Sequence, residues 1–140
     1  MKKIALVLLT CWIAGPLLAA EAHWLTSLPD AKTQAKKENK LILLDFTGSD
    51  WCGWCKKLDK DTYSDKDVET RLAKDFVAVK VNPEKSQRNA KLSRDFGTTG
   101  FPHIVFVDAN GKKVSEIDGY LPAAQFLEQL NKVSEKATKK

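Results

Sequence analysis

Leu41-Ile42-Leu43-Leu44-Asp45-Phe46, the loop Thr47-Gly48-Ser49-Asp50, and then Trp51-Cys52-Gly53-Trp54-Cys55-Lys56 form the stretch that decides the fold. The first six residues are apolar on both faces of an extended chain, which reads as a central strand covered by helices on each side. The two cysteines open the helix that follows, and a spacing of two residues lets their sulfurs meet within one turn. At that position unpaired backbone N–H groups and the helix dipole favour negative charge, so the first thiol ionises near neutral pH. The stretch therefore predicts a pair of thiols that can cycle between dithiol and disulfide.

Working outward, Ser27-Leu28-Pro29-Asp30 is a capping box with proline in the first turn, starting a helix that runs to about Asn39. The helix carrying the cysteines is expected to reach about Asp61, with Trp51, Cys55, Leu58 and Thr62 on one side. Ser64-Asp65-Lys66-Asp67 caps the next helix, with Val68 and Leu72 inward. Phe76 to Val81 is a second buried strand, and Ser86 to Phe96 a helix ended by Gly97. Ile104 to Val107 is a third strand. Asp108-Ala109-Asn110-Gly111 turns it into a more polar edge strand, Lys113 to Asp118. The last helix, Pro122 to about Ala137, presents Ala123, Phe126, Leu127, Leu130 and Val133 as its apolar stripe. Strands alternating with helices before a terminal hairpin predict an α/β fold, a central mixed sheet with helices on both faces.

The chain has 140 residues and a formal charge of +5. Lys2 and Lys3 precede the apolar run Ile4 to Ile13, followed by Gly15-Pro16 and the small residues around Ala19-Ala20-Glu21-Ala22. That is the build of a secretory signal peptide over residues 1–22, with cleavage after Ala20 or Ala22, and residues 23–140 left as one domain. Cys11 lies within the leader, before the apolar run is complete and after Thr10, which does not suit a lipidated cysteine. Cutting after Ala20 removes two lysines, so the charge falls from +5 to +3. The remaining charges are interspersed, and Lys132, Lys136, Lys139 and Lys140 look like a solvated helix end, so no nucleic-acid partner is expected. Export would leave Cys52 and Cys55 as the two cysteines, in an oxidising compartment. A bridge closing so small a loop adds little through chain entropy, which argues against a structural staple.

Half a zinc site has the same C-x-x-C spacing, but only His23 and His103 remain to complete it, and His23 sits at the processed end. Taken by itself, Pro102 reads as an ordinary strand-start proline. His103 is expected to point away from the site.

The strand, the Trp51-Cys52-Gly53-Trp54-Cys55-Lys56 motif and Gly97-Thr98-Thr99-Gly100-Phe101-Pro102 before an apolar strand occur in the order found in the thioredoxin family. The chain resembles that family over nearly all of residues 40–140. Gly48 to Cys52 and the leader are most similar to exported bacterial thioredoxin-like proteins, and to the periplasmic thioredoxin-like domain of the membrane thiol-electron transporter. The resemblance implies a thioredoxin-like fold and a thiol–disulfide oxidoreductase with no cofactor. It makes Cys52 the exposed nucleophile and Cys55 the buried resolving thiol of a redox disulfide. Pro102 matches a cis-proline that leaves the backbone of Phe101 free to pair with an extended substrate. Asp45 matches a buried carboxylate that accepts the Cys55 proton, and Lys80 the lysine paired with it. Trp51 is expected half in the core and half as a shield for the thiol, and Trp54 as an exposed substrate contact. Against the family pattern, the loop from Asp45 to Cys52 is one residue longer, Trp54 replaces the usual proline, and no first strand is evident in Glu21 to Leu25.

These readings together imply a monomeric exported reductase of protein disulfides, fed by a membrane electron donor of the thiol-transporter type. A disulfide oxidase or isomerase of the same fold is the alternative, and a metal-binding or metallochaperone module using the cysteines and His103 is another.

Overall fold

In the computed structural model of the protein, residues 21–139 are described. The leader, Cys11 included, lies outside them except for Glu21 and Ala22. Five strands form one sheet in the order β1-β3-β2-β4-β5. They are β1 (Trp24–Leu25), β2 (Leu41–Phe46), β3 (Phe76–Val81), β4 (His103–Val107) and β5 (Lys113–Asp118). The continuous apolar runs occupy the centre: β2 pairs parallel to β3 and antiparallel to β4. The polar strand β5 lies at one edge, antiparallel to β4, as its composition predicts. This is the thioredoxin-like mixed sheet.

The other edge departs from the expectation. Trp24 and Leu25 form β1, parallel to β3, with Trp24 opposite Ala78 and Leu25 opposite Val79. Two residues are too few to show an alternation, so pairing with β3, not local pattern, makes this strand.

Helix α1 (Leu28–Glu38) starts where Ser27 Oγ accepts from Asp30 N–H at 3.4 Å and ends at Asn39, whose φ is 53°. Helix α3 (Lys66–Asp75) is capped by Asp65, whose Oδ1 accepts from the N–H groups of Asp67 and Val68. Helix α4 (Gln87–Asp95) is capped by Ser86, and Gly97 leaves it with φ 71°. Between α2 (Gly53–Leu58) and α3 the helix widens into a π-helical turn, Asp59–Tyr63. The apolar spacing continues unbroken through that turn, so it is read as regular helix from the sequence.

Alternation in β2 sends side chains to two cores. Ile42, Leu44 and Phe46 meet Ala31 and Ala35 of α1 on one face. Leu43 faces the other way, toward Leu58, Val68, Leu72 and the helix α5 (Ala123–Thr138). From α5, Phe126, Leu130 and Val133 are buried, whereas Ala123 and Leu127 pack only partly against that core. Asp45 therefore shares a face with α2, the π-helical turn, α3 and α5.

Phe126 is fully buried and meets Tyr63 edge-on, with ring centroids 5.6 Å apart. Phe126→Ala is expected to lower stability by about 3–5 kcal/mol, the usual cost of removing a buried aromatic ring. Denaturant unfolding of the oxidised protein measures it. A loss under about 1 kcal/mol would mean that α5 does not close this core.

Candidate active site

Strand β2 delivers the chain to a loop that ends in Cys52, the N-cap of α2. Cys52 and Cys55 are joined in a disulfide, with their Cα atoms 5.3 Å apart. Cys55 N–H points at Cys52 Sγ (3.3 Å), and Gly48 N–H points at Cys55 Sγ (3.5 Å). Both cysteines are only 4% exposed, so in this oxidised form burial does not single out Cys52 as the exposed thiol the sequence suggests. The loop lies against it: a Cβ on Gly48 would come within 2.9 Å of Cys52 Cβ and 2.7 Å of the Trp51 ring. Only glycine allows that approach, which lets the longer loop fold back over the pair.

The Phe101–Pro102 peptide bond is cis, and Pro102 is buried. Pro102 O accepts from Gly119 N–H at 2.9 Å, tying the turn to the end of β5. Trp54, from between the two cysteines in the chain, lines a groove with Phe101, Pro102, Gly119 and Tyr120. Trp54 is 59% exposed, as expected, with its ring 5.6 Å from that of Tyr120.

Trp51 differs from the expectation. It is 63% exposed and takes no part in the core. Its ring lies across Gly48 and edge-on to Phe101 (6.0 Å), and its Nε1–H donates to Glu84 Oε1 at 2.9 Å. Glu84 also accepts from Ser49 N–H, and these two bonds hold its carboxyl below the usual range. The hydrogen bond to Glu84, with the contacts to Gly48 and Phe101, thus holds this exposed indole next to Cys52. Nothing in the sequence around Glu84 marks it as near the cysteines.

On the α2 face, the structure brings Asp45 and Lys80 together across the β2–β3 register. Lys80 Nζ is 2.5 Å from Asp45 Oδ2 and 2.5 Å from Asp59 Oδ1. The same ammonium lies 4.6 Å from the ring centroids of both Trp24 and Tyr63. Asp45 is fully buried. Burial pushes its carboxyl above the ordinary value of 3.8, against the pull of Lys80. Burial first, and then the charges of Asp45 and Asp59, raises the Tyr63 phenol well above its usual 10.0. Asp59, Tyr63 and Trp24 carried no signal in the sequence, because the π-helical turn and β1 that place them were not evident there.

His103 is buried on the opposite face, stacked on Phe46. Its Nδ1 is 2.8 Å from Thr98 Oγ1, and its Nε2 is 3.1 Å from Glu116 Oε2. With both ring nitrogens engaged there, it offers no ligand to a metal held by the cysteines. His23 is exposed beside β1.

The profile of the Thioredoxin-like domain family matches residues 28–134. The disulfide bond reductase DsbH of Chlamydia pneumoniae is 35% identical over 115 residues, covering 76% of this chain and 68% of that protein. The thiol:disulfide interchange protein DsbD of Actinobacillus pleuropneumoniae is 36% identical over 98 residues, 69% of this chain but only 17% of its own length. Among solved structures, the DsbH oxidoreductase superposes with a TM-score of 0.75 at 28% identity, covering 85% of this chain and 88% of that one. The reduced C-terminal domain of Neisseria meningitidis DsbD gives 0.60 at 28% identity, covering 75% and 92%.

The raised carboxyl of Asp45 has a consequence for stability. Below pH 3.8 the group is protonated in folded and unfolded chains alike. As pH rises, the unfolded carboxyl ionises first, so folding loses stability until the buried carboxyl ionises too. Asp45→Asn keeps the shape, removes this titration and leaves Lys80 its bond to Asp59. The variant should gain on wild type as pH rises from about 4 and hold the gain at neutral pH. Denaturant midpoints of the oxidised proteins between pH 4 and 8 give the difference. A gap that is flat, or that favours wild type at neutral pH, would contradict the assignment.

Proposed function

The chain belongs to the thioredoxin-like domain family and is a thiol–disulfide oxidoreductase of that fold, and from that premise we propose that it reduces protein disulfides outside the cytoplasm. One arrangement carries the reading: a Cys52–Cys55 disulfide at a strand–helix junction, with exposed Trp51 and Trp54 flanking Cys52 in the chain and a cis-proline in the groove that Trp54 lines.

In the reduced enzyme the Cys52 thiolate attacks one sulfur of a substrate disulfide. A Cys52–substrate bond forms, and the other substrate sulfur leaves as a thiolate that takes up a proton. Cys55 gives its proton to Asp45 and attacks Cys52 Sγ, closing the Cys52–Cys55 bond and releasing the second substrate thiolate. Two electrons pass from the enzyme dithiol to the substrate. Lys80 holds the Asp45 carboxylate in place, while Trp51, Trp54, Phe101 and Pro102 contact the substrate, with the Phe101 backbone pairing to it.

The leader-like residues 1–22 support export, and the similarity to a disulfide bond reductase supports the reducing direction. In an oxidising compartment such a monomer needs electrons delivered, and the similarity to DsbD supports a membrane donor of the thiol-transporter type. Among the described residues, no helix is long and apolar enough to cross a membrane.

Equilibration with glutathione tests the direction: the reductase reading expects a potential on the reducing side, toward thioredoxin's value of about −270 mV, whereas one near −120 mV would assign the oxidising role.

Cys55→Ser should accumulate mixed disulfides through Cys52, because the second attack is lost, and Cys52→Ser should trap far fewer. Non-reducing gels and mass mapping of extracts from the exported compartment read the outcome. Absence of adducts with both variants would remove protein disulfides as the substrate.

A further inference from the structure

Tyr63 enters the site from the π-helical turn, and its hydroxyl makes no hydrogen bond of normal geometry among the described residues, although it lies near enough to Asp45 for each group to shift the other. Asp45 Oδ1 makes none either, although both atoms are buried. A buried phenol and a buried carboxylate oxygen that both go without a hydrogen bond are costly separately and complementary together: one only has to donate what the other accepts. Their positions make the pairing reachable. The Tyr63 ring lies 4.6 Å from Lys80 Nζ, and that same nitrogen is 2.5 Å from Asp45 Oδ2. Tyr63 cannot swing its hydroxyl into solvent, because Trp24 packs at 4.7 Å on its ring and Phe126 at 5.6 Å.

We propose that Tyr63 is a positioning residue for the redox reaction, donating its hydroxyl proton in a hydrogen bond to Asp45 Oδ1 while Lys80 holds Oδ2. The carboxylate is then gripped at both oxygens, with its acceptor capacity directed by two fixed donors. The raised titration of the phenol keeps it a donor throughout the working pH range, and its bond in turn favours the charged form of Asp45 against the effect of burial. Lys80, Asp59 and Tyr63 are the titratable groups that face Asp45 from the strand and the turn packed on it, and in the reduced protein the Cys55 thiol of α2, proposed above to pass it a proton, joins them.

The inference rests on the proton-accepting role of Asp45 proposed above for its kinetic consequence, but not for its direct test. Tyr63→Phe removes one oxygen and keeps the ring. In the reduced protein, carbon-13 NMR of the Asp45 carboxyl, assigned by its loss in Asp45→Asn, should show it titrating at higher pH in Tyr63→Phe than in wild type. Resolution of a pre-formed mixed disulfide should slow roughly three- to tenfold on the acid side of the rate profile, the loss of about one hydrogen bond, and recover at high pH. In an Asp45→Asn background, Tyr63→Phe should add no further change, an effect that a merely structural role would not produce. An unmoved carboxyl titration in folded Tyr63→Phe would overturn the inference. If the titration moves but Asp45→Asn resolves as fast as wild type, the hydrogen bond stands and the role of Asp45 as proton acceptor falls instead.

Discussion

A carboxylate in the middle of a central strand has to be accommodated, and much of this molecule is arranged around doing so. Asp45 has no water to ionise into, and an isolated charge there would cost several kcal/mol, of the order that makes such groups neutralise instead. Strand β3 supplies Lys80, set opposite Asp45 by the parallel register. The π-helical turn supplies Asp59 as a second carboxylate for the same ammonium, and Tyr63 as a wall beside it. Strand β1, two residues long, supplies Trp24 as the facing wall. A slip of one residue in the β2–β3 pairing would send Asp45 or Lys80 to the other face and leave a lone buried charge, so the cluster also selects the register.

Much of this is legible in the amino-acid sequence. The unbroken apolar runs of β2, β3 and β4 can satisfy their side chains only inside a covered sheet, and the polar Lys113–Asp118 segment only at an edge. Capping residues Ser27, Asp65 and Ser86 mark helix starts through chemistry confined to four residues. The cysteine pair follows from its spacing at a strand–helix junction, and the cis-proline and the Asp45–Lys80 partnership from resemblance; the structure has the disulfide, the cis bond and the ion pair. What escaped has a common cause. Strand β1 is held by its neighbour, the π-helical turn differs from α-helix by a hydrogen-bond shift that leaves no compositional trace, and the exposure of Trp51 depends on Glu84, 33 residues away. Pattern reading sees local periodicity, and these features are set by contacts between distant segments.

The two faces of the sheet divide the labour. On the α1 and α4 side, His103 bonds Thr98 in the segment leading to the cis-proline and Glu116 of β5, so the turn at Pro102 is anchored from behind. On the other side lie the charges. The disulfide sits at the N-terminus of α2, where the loop from the end of β2 meets the helix.

The edges of the sheet have a bearing on how the fold avoids pairing with other chains. An open strand edge is a template for pairing with any passing backbone, including that of a second copy. Here β1 offers only two residues, and β5 carries Lys113, Glu116 and Asp118, with an irregular register where it leaves Phe106 and Val107. Short, charged and kinked edges discourage fibre-like growth. Main-chain adhesiveness is thereby kept away from the flanks of the sheet, which protects the folded domain against polymerising on itself.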